Sequence, residues 1–379
     1  MIRIAHLIKG MYRSGAESLL VEGLRVADRS RFDFTYAYFI AKYHGVDDDL
    51  RDLGAYVKCF DVLNTPAMML SVHRVADYLR ESRIDLVHAH LPVSGVVAAL
   101  AARRARIPVV YTEHTPVEPY HIMTRLALRA TWGMQTRVIA VSPDVAESVR
   151  VNGGRRAKVQ VVMNGIDTDR FAPGITGGME VRTALGIPHN APVIGTVASL
   201  RAQKRIDIWL AAMRQIIDRI PQAHAVIVGG GEMRDAVERE VSALGLDAAV
   251  HLVGPAVDVR PYLACMDVFM MSSEFEGFGL APVEAMSMCV PVVGTDVPGI
   301  RNVIRKGKDG VLVPFDNNVQ IALSDAVVAL IMDQAMRDKF GEAGRIAAVS
   351  RFGIVRMQRE LEEIYTRVIQ DWDLNRNII

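Results

Sequence analysis

The sequence predicts an α/β protein with two doubly wound domains, each a parallel sheet covered by helices on both faces. In the first half of the 379 residues, short β-rich runs alternate with helical stretches, which is typical of parallel sheets. The same alternation restarts near Val193. A chain of this length exceeds one ordinary hydrophobic core, so two domains of similar size are expected.

The predicted strands of the first half are short runs rich in β-branched and apolar residues. They are Ile2–Ile8, Phe32–Phe39, Tyr56–Phe60, Asp85–Ala89, Val109–Thr112, Arg137–Val141 and Val159–Met163. Between them lie apolar–polar or small-residue patterns that favour helices. These include Ala16–Ala27, His73–Ser82, Ser94–Arg104 and Asp144–Asn152.

The second half repeats this organisation. Its predicted strands are Val193–Val197, Ala223–Val228, Ala249–Val253, Val268–Met271, Val290–Val293 and Gly310–Val313. Its predicted helices include Ile206–Ile220, Glu232–Leu244 and Leu280–Met288. Beyond Pro314 only helix is predicted, and the pattern does not indicate which domain the last helix, about Val355–Asp373, joins.

The Pro- and Gly-containing stretch Phe171–Pro192 is interpreted as the join between the domains. The predicted domains are therefore 1–175, 190–352 and a C-terminal helical segment, 353–379. Open parallel sheets bind ligands at the carboxyl ends of their strands, so a cleft between the two domains is the expected site.

Composition excludes some classes of function. The chain is 50% hydrophobic and 23% charged, with a net charge of +1, so it is an ordinary globular protein without a nucleic-acid footprint. Residues 1–175 hold 23 Lys+Arg and 18 Asp+Glu, a balance of +5, and the remaining 21 Lys+Arg and 25 Asp+Glu give −4. This bias fits an approach of the first domain to an anionic surface, and it fits chance equally well.

The three cysteines, Cys59, Cys265 and Cys289, stand far apart in apolar surroundings. They fit neither a disulfide framework nor a zinc site. The N-terminal apolar run is too short for a signal peptide, and no run reaches the length of a membrane span. A cytoplasmic protein is expected, with peripheral attachment to a membrane as a further possibility.

The most informative stretch is E-F-E-G-F-G-L-A-P-V-E-A-M, which begins at Glu274 and carries Glu276 and Glu284. It lies between a predicted strand and a predicted helix, at a strand's carboxyl end. Glycines there let backbone N–H groups approach a ligand, and a helix N-terminus favours negative charge. The carboxylates would repel phosphate, so hydroxyl groups are their expected partners. The pattern predicts a phosphate flanked by sugars, although a turn with a capping glutamate explains the local pattern equally well.

This stretch, followed by "PVVGTDVPG" and "KDGVLVP", resembles the Glu-x7-Glu motif of the retaining family 4 glycosyltransferases, which have the two-domain GT-B fold. Other segments occur in the family's usual order. In the second half they are "GTVASLRAQKRID", "AVIVGGGEMRDAVEREV" and "VHLVGPAVDVRPYLACMDVFMMSS". In the first half they are "SGAE", "HAH", "TEH", "AVS" and "NGIDTDRF". The resemblance therefore covers most of the chain.

The resemblance implies roles for individual residues. Glu284 would hold the ribose of the donor, Glu276 the transferred sugar, and Lys204 the phosphate. The backbone of the turn would contact sugar hydroxyls and diphosphate through Gly277, Phe278, Gly279 and Leu280. The segment Val253–Ala256, with Gly254, would contact the base.

Three positions depart from the family pattern. Ser199 stands where the family often has arginine, and Arg201 is the candidate to supply that charge. Ser14 replaces the first of two usual glycines, which leaves Gly15 for close approach of diphosphate or acceptor; a plain helix-start glycine is the alternative. Asn302 stands where relatives often have glutamate.

His114 follows the predicted strand in "VVYTEH", and by resemblance it would touch the transferred sugar near the reacting carbon. His88 and His90 share one side of a strand, since side chains there repeat with period two. With Glu113 or His114 they would offer a metal site, but structural histidines are the favoured interpretation. The resemblance implies no metal, no cofactor and no obligatory covalent intermediate.

The segment His121–Arg137 alternates arginines with Ile, Leu, Met and Trp. A basic amphipathic helix of this kind can lie on anionic lipid. Packing into the core with solvated arginines is the favoured interpretation.

The expected function is transfer of a hexosyl unit from a UDP- or GDP-sugar to an acceptor hydroxyl, with retention of configuration. The expected acceptor is a lipid-linked or polysaccharide glycan of cell-surface polysaccharide synthesis. Two alternatives remain: a GT-B-fold epimerase of UDP-sugars, and a non-catalytic subunit that binds a nucleotide sugar.

Overall fold

A computed structural model of the protein describes residues 1–41 and 45–376. The chain forms two compact units, one made of Met1–Gly165 with Ile354–Ile379 and the other of Ile166–Gly353. Each unit contains one parallel sheet, of seven strands in the first and six in the second. The predicted α/β class with two doubly wound sheets is therefore confirmed. Of the predicted C-terminal segment, residues 377–379 lie outside the described part.

The first unit has the strand order β3-β2-β1-β4-β5-β6-β7. Its strands are β1 (Ile2–Ile8), β2 (Phe32–Tyr38), β3 (Tyr56–Cys59), β4 (Leu86–His90), β5 (Val109–Glu113), β6 (Arg137–Ala140) and β7 (Val159–Val161). Its helices are α1 (Gly15–Val26), α2 (Asp47–Asp52), α3 (Thr65–Leu70), α4 (Val72–Glu81), α5 (Pro92–Ala105), α6 (Ile122–Thr131), α7 (Pro143–Val151) and α16 (Ile354–Arg376). Short 3₁₀ turns occupy Trp132–Met134 and Gly154–Arg156.

The core of the first unit is built on strands β4 and β5, which are buried along their whole length. Strands covered by helices on both faces need continuous rather than alternating apolar residues. The small residues of α5 let that helix lie against the sheet, and a Cβ at Gly95 would come within 2.6 Å of the Tyr111 ring.

The last helix belongs to the first unit, a point that the sequence pattern left open. From α16, Glu362 accepts a hydrogen bond from the backbone N–H of Asp28 at 3.0 Å. Arg356 on the same helix donates to the carbonyl oxygen of Met163 at 2.5 Å. Tyr365 is fully buried against the sheet. The helix thus covers one face of this unit beside α1.

The second unit has the strand order β10-β9-β8-β11-β12-β13. Its strands are β8 (Val193–Val197), β9 (His224–Val228), β10 (Val250–Gly254), β11 (Val268–Met270), β12 (Val292–Thr295) and β13 (Val311–Val313). Its helices are α8 (Gly178–Ala184), α9 (Ile206–Arg219), α10 (Arg234–Ala243), α11 (Arg260–Ala264), α12 (Leu280–Ser287), α13 (Ile300–Val303), α14 (Val319–Met332) and α15 (Gln334–Phe352). A 3₁₀ turn occupies Ala202–Lys204.

The stretch Phe171–Pro192, interpreted from sequence as the join, lies inside the second unit and contains α8. Arg182 of α8 is buried and donates to the carbonyl oxygen of Cys265 at 2.8 Å and to Asp267 at 2.9 Å. These bonds tie a Pro- and Gly-rich segment to the sheet. The chain passes between the units at Gly165–Ile166 and at Gly353–Ile354 instead.

In each sheet the strand order reverses once, between β1 and β4 in the first unit and between β8 and β11 in the second. At such a point the loops after the two strands turn to opposite faces and leave a crevice at the carboxyl ends, where doubly wound sheets bind ligands. We therefore expect ligand-binding sites at these two crevices.

None of the helices in the described part has, by itself, both the length and the apolar composition of a bilayer span. The pair α14 and α15 meets that criterion together, but the two helices are bent by 105° at the break between them.

Candidate functional site

In the second unit, the loops after β8 and β11 are fastened to each other. The backbone N–H of Glu274 donates to the carbonyl oxygen of Gln203 at 2.9 Å. The hydroxyl of Ser272 donates to the carbonyl oxygens of Lys204 and Arg205, at 2.9 and 2.8 Å. Arg205 has a φ of 46°, a conformation that is uncommon for residues other than glycine. The crevice is therefore bounded by two loops whose backbones are held in a fixed relation.

Lys204 and Glu276 form an ion pair across this crevice, from the ammonium nitrogen to Oε1. The hydroxyl of Ser273 donates to the same oxygen at 2.7 Å, and the N–H of Glu276 donates to the carbonyl oxygen of Pro298 at 3.0 Å. The side chains of Lys204 and Glu276 are only 17% and 9% exposed. The lysine neutralises the carboxylate, so the crevice does not present an uncompensated negative charge to an anionic ligand.

The turn after Glu276 leads directly into α12. Gly279, with a φ of 90°, is the residue before the helix, and Phe278 is buried with its ring 5.4 Å from that of Phe352. The aromatic side chain thus anchors the turn, while its backbone remains at the helix N-terminus, where N–H groups attract anions. A Cβ at Gly299 would come within 2.3 Å of the carbonyl oxygen of Glu276, so glycine is required there.

Glu284 and Leu280 lie one helical turn apart on α12, and both are partly exposed. Residues four apart lie on one face of a helix. The two side chains therefore share the face that begins at the turn, and Gly277, which precedes it, is buried. The structure thus brings together the turn residues that the sequence pattern singled out.

Two further loops complete this edge of the sheet. Gly229 has a φ of 135°, and a Cβ there would come within 1.9 Å of the carbonyl oxygen of Ala198. Its N–H donates at 2.8 Å to the carbonyl oxygen of Gly254, which has a φ of 88°. Arg201 is exposed in the loop after β8, and its carbonyl oxygen accepts from the N–H of Lys204 at 3.0 Å. The two cationic side chains are therefore on the same short turn.

In the first unit, histidine rings gather at the crevice between β1 and β4. His6 of β1 and His88 of β4 are paired in register across the sheet. Nδ1 of His6 lies 2.9 Å from Nε2 of His90, and Nδ1 of His90 lies 3.2 Å from Nε2 of His114. His6, His90 and His114 thus form a continuous hydrogen-bonded chain from β1 to the residue after β5.

His88 has separate partners. Its Nδ1 lies 2.6 Å from the hydroxyl of Tyr365, and its Nε2 lies 2.7 Å from the hydroxyl of Thr112. Ligand atoms of His6, His88 and His90 lie within 4.8 Å of one another, a spacing that a metal ion would accept. Both ring nitrogens of His88 and of His90 already have partners in the protein, however, so an ion would have to displace hydrogen bonds. This arrangement favours structural histidines.

The carboxylate of Glu113 bonds the backbone of His114, whose N–H donates to it at 3.2 Å, rather than a histidine ring. Its two oxygens accept hydrogen bonds from the hydroxyls of Tyr111 at 2.8 Å and Tyr120 at 2.6 Å. Burial raises the pKa of Glu113 to about 7, although both tyrosine hydrogen bonds oppose that shift. The metal site that would combine Glu113 with His88 and His90 is therefore not assembled.

Burial also keeps the histidines uncharged at neutral pH. It lowers the pKa of His6 to about 3 and that of His114 to about 4. The pKa values of His88 and His90 lie well below the ordinary value, first because of burial and then because of the neighbouring histidines. A neutral imidazole has one donor and one acceptor nitrogen, so each ring can both donate and accept.

Two further residues lie at this crevice, Gly15, which the sequence pattern indicated, and Leu91, which it did not. Gly15 is exposed as the first residue of α1, and the hydroxyl of the preceding Ser14 donates to Glu17. Leu91, directly after β4, has a φ of 69° and a ψ of 152°, a region populated almost only by glycine. Backbone strain of this kind clusters at functional sites, but a leucine before proline gives no signal of it in the sequence.

Sequence reasoning missed His6, which contacts His90, and Ser273, which contacts the predicted site residue Glu276. His6 shares the alternation of β1, and a doubly wound sheet places the first and fourth strands side by side. That topology, combined with the period of two in His88 and His90, is the signal that would have found it. Ser273 carries no such signal, because a serine after a strand is common in turns.

Different side chains of the segment His121–Arg137 fit the two interpretations, packing into the core and an amphipathic surface that faces lipid. Leu128 and Trp132 are buried, whereas Met123 and Leu126 on α6 are 65% and 52% exposed. Arg125 is partly buried and donates to Asn152 at 2.9 Å. One face of α6 therefore packs against the unit, and the other presents apolar side chains outward.

Each half of the chain matches a known protein family. Residues 4–170 match the family described as Glycosyltransferase Family 4, and residues 179–347 match Glycosyl transferases group 1. A D-inositol 3-phosphate glycosyltransferase of Xylanimonas cellulosilytica is 30% identical over 325 residues, which are 79% of this chain and 76% of that protein. The Escherichia coli UDP-Gal:alpha-D-GlcNAc-diphosphoundecaprenol alpha-1,3-galactosyltransferase is 26% identical over 97% of each chain.

Among solved structures, Anabaena Alr3699/HepE in complex with UDP and glucose superposes with a TM-score of 0.85. It is 24% identical, and the match covers 97% of this chain and 100% of that one. The lipopolysaccharide outer core galactosyltransferase WaaB gives a TM-score of 0.72 at 15% identity over 97% and 100% of the two chains. These likenesses show the fold.

Proposed function

The chain belongs to glycosyltransferase family 4, and from that premise we propose that it transfers a hexosyl unit from a UDP-sugar to a hydroxyl of a lipid-linked glycan. Membership establishes the coarser statement, a GT-B-fold glycosyltransferase of the retaining class that uses a nucleotide sugar. The donor, the acceptor and the residues that act on them are the proposal.

The observation that carries the proposal is the Lys204–Glu276 pair beside the N-terminus of α12. A nucleoside diphosphate sugar combines an anion with hydroxyl groups. The ammonium of Lys204, the exposed Arg201 and the N–H groups at Gly279 and Leu280 suit the diphosphate. Glu276 and Glu284 suit hydroxyls of the sugar and the ribose, because ionised carboxylates are acceptors only.

The reaction breaks the bond between the anomeric carbon and the diphosphate oxygen, and it forms a bond from that carbon to the acceptor oxygen. Negative charge grows on the departing diphosphate, so fixed donors aimed at it lower the barrier. The proton of the acceptor hydroxyl passes to the diphosphate oxygen on the same face of the sugar, which accounts for retention without a covalent enzyme intermediate.

We assign nucleotide-sugar binding to the second unit and acceptor binding to the first. In the first unit, His114 is proposed to contact the transferred sugar, and Gly15 to lie against diphosphate or acceptor. We further propose that transfer is independent of metal ions; Lys204, Arg201 and the N-terminus of α12 would stabilise the departing diphosphate, as a divalent ion does in other transferases.

The choice of donor and acceptor draws on the similar proteins. The name of the Escherichia coli galactosyltransferase, similar along nearly its whole length, gives a UDP-sugar donor and a diphosphoundecaprenol-linked acceptor. The Anabaena protein binds UDP. A UDP-sugar is therefore favoured over a GDP-sugar, and a lipid-linked glycan over a soluble acceptor.

A lipid-linked acceptor requires access to a membrane surface, and α6 is the element that we propose to supply it. Met123 and Leu126 project outward, and Arg129 beside them is exposed. Apolar side chains flanked by cations bind anionic lipid interfaces. This contact would be peripheral and salt-sensitive.

Incubation of the protein with a panel of UDP-, GDP- and ADP-sugars, with and without a polyprenyl-diphosphate-linked saccharide, tests the proposal. We expect slow release of UDP from one UDP-sugar alone and fast release with the acceptor, together with an α-linked product from an α-linked donor. Binding of a donor without any release of nucleotide would contradict it, and so would conversion of the UDP-sugar to its epimer.

A further inference from the structure

We propose that His90 and His6 are positioning residues for this reaction, whose hydrogen bonds fix the orientation of the His114 ring and the nitrogen on which it carries its proton. The inference rests on the proposed function, in which His114 contacts the transferred sugar. Neither His6 nor His90 reaches that sugar in the proposal, so both would act only through His114.

The hydrogen-bond geometry of the three histidines allows only two arrangements of their ring protons. Each of the two contacts, His6 Nδ1 to His90 Nε2 and His90 Nδ1 to His114 Nε2, needs one donor and one acceptor. Each neutral ring supplies one of each. Either all three rings carry the proton on Nδ1 and the bonds point toward His114, or all three carry it on Nε2 and the bonds point toward His6. A choice at one ring therefore fixes the other two.

The ring nitrogens at the two ends of this series of histidines are Nδ1 of His114 and Nε2 of His6. Within the described residues, the structure gives no hydrogen-bond partner to Nδ1 of His114 or to Nε2 of His6. His6 lines a cavity of ≈ 40 Å³ beside α1 and α16, enough for about two water molecules. Water there can donate or accept, so it satisfies His6 in both arrangements. The Nδ1 atom of His114 is the one left for a ligand.

Burial fixes the positions of the His6 and His90 rings. His6 and His90 are almost completely buried, and the His6 ring stacks on Tyr36 with centroids 5.1 Å apart. Because burial disfavours a charged imidazole, a second proton does not break the pattern at neutral pH. Which nitrogen of a histidine carries the proton is set by the bond that its other nitrogen makes. His114 is thus oriented before any substrate binds.

Wild-type protein labelled with ¹⁵N in histidine provides the first test, since the nitrogen shifts of each ring distinguish the two tautomers. We expect His6, His90 and His114 to show the same single tautomer. Any mixed set, with one ring on Nδ1 and another on Nε2, overturns the proposal. This measurement needs no substrate, so it decides the inference even if the protein transfers no sugar.

Substitutions at His90 test its two hydrogen bonds one at a time. His90→Asn places an amide near the position of Nδ1 and keeps a partner for His114, whereas His90→Gln places it near Nε2 and keeps a partner only for His6. We expect His90→Phe and His90→Gln to lower kcat by about 10- to 100-fold, as for small misplacements of a reacting group, and His90→Asn to retain most of the activity. UDP affinity should change little in all three.

Tyr365→Phe is the matched control, because it removes a buried hydroxyl that bonds His88 at 2.6 Å and not His90. It should leave kcat and the tautomer of His114 unchanged. If His90→Phe does not fold, the Asn and Gln variants still decide the matter. Equal activity in those two variants, with His114 in its wild-type tautomer, would show that His90 has only a packing role.

The failure of this inference differs from the failure of the proposed function. If wild-type protein releases no nucleotide from any donor, the proposed function fails while the tautomer test still stands. If wild-type protein is active and His90→Phe matches it in kcat and in the tautomer of His114, only the positioning role fails.

Discussion

Lys204 and Glu276, 72 residues apart in the sequence, form an ion pair that joins the loops after β8 and β11 at the point where the strand order reverses. Neither residue is substantially exposed. Opposite charges removed from water stabilise a structure only when each has a partner. The pair therefore holds the crevice in shape before a ligand arrives and keeps its charge balanced.

Breaking this pair should destabilise the second unit. Lys204→Met leaves a buried carboxylate without its cation, so we expect it to lower the free energy of unfolding by about 3 kcal/mol, and Glu276→Gln by less. A double-mutant cycle measured by denaturant unfolding should give a coupling of about 1–3 kcal/mol. The pair Arg214–Asp218 on α9, which is more exposed than Lys204–Glu276, is the control, with an expected coupling of about 0.3–0.5 kcal/mol. Equal couplings would show that the Lys204–Glu276 pair is energetically ordinary.

Glu284→Ala should weaken donor binding and leave the fold intact. A hydrogen bond between a hydroxyl and an ionised carboxylate contributes about 1.5–3 kcal/mol, so the UDP-sugar Kd should rise by about 10- to 150-fold. Isothermal titration calorimetry measures it. Glu274→Ala, an exposed glutamate of the same stretch, should bind donor as the wild type does. Unchanged affinity in a folded Glu284→Ala variant would remove Glu284 from the site.

Transfer should persist in excess EDTA, because the proposal assigns stabilisation of the diphosphate to protein groups rather than to a metal ion. The rate of nucleotide release with acceptor is the measurement, and protein to which Mg²⁺ has been returned is the control. Loss of turnover with EDTA and recovery with Mg²⁺ or Mn²⁺ would reverse this assignment. The three clustered histidines would then be re-examined as ligands.

The first unit should lose stability as the pH falls below about 6.5. Four of its histidines have lowered pKa values, about 3 for His6 and about 4 for His114, so the unfolded state binds protons first. The stability that they contribute is complete above pH 6.5 and declines as the pH falls toward those values. Each such histidine changes the free energy of unfolding by up to about 1.4 kcal/mol per pH unit.

Glu113 acts in the opposite sense. Its pKa is raised to about 7, so its contribution is complete below about pH 4.5 and is lost as the pH rises through 7. Because four histidines with lowered pKa values oppose one carboxyl, stability should still rise with pH between 4.5 and 6.5. Protection of β4 and β5 amides from hydrogen exchange reports this unit alone. Protection that stays constant over that range would contradict neutral buried histidines.

Binding to anionic liposomes should depend on α6. Wild-type protein should co-sediment with vesicles that contain phosphatidylglycerol at low salt and detach as salt is added, since each cation near the surface contributes about 1 kcal/mol. Met123→Glu with Leu126→Glu should abolish binding. Val257→Glu, at an 83% exposed apolar position of the second unit, is the control. A wild type that ignores such vesicles would favour a soluble acceptor.

Arg125 is a poor choice for this test, although the sequence pattern suggests it. Its guanidinium bonds Asn152, whose amide donates to Glu118 at 2.7 Å. Its replacement by glutamate would disturb the packing of α6 as well as its charge. Arg129, which is exposed, reports charge more cleanly.

Sequence predicted the strands well because buried parallel strands are continuous apolar runs; β1 and β8 begin and end where expected. The Glu276–Glu284 stretch was singled out because its glycines add no buried side chain and weaken both helix and strand, and its role in binding stays a prediction. Contacts between distant residues were not predicted. The bond from His6 to His90 spans 84 residues, and the short-range pattern around His6 is that of any strand.

The crossing points between the units were missed for a related reason. Composition marks linkers through Pro and Gly, and Phe171–Pro192 has both, yet the buried Arg182 fastens that stretch to the second unit. The return of the chain at Ile354 is visible only in three dimensions, because α16 carries an amphipathic pattern that would suit either unit.

The second unit begins and ends at the same place. The N–H of Ile166 donates to the carbonyl oxygen of Phe352 at 2.8 Å, and Ile166 pairs with Gly353. Topologically, the whole of Ile166–Gly353 is an insertion between β7 and α16 of a host domain, with its two ends tied together. A segment so closed can be cut out and replaced as a cassette without moving the ends it leaves behind. On the proposed assignment of donor binding to the second unit, exchange of this cassette between relatives should change the sugar donor and leave the first unit unaltered.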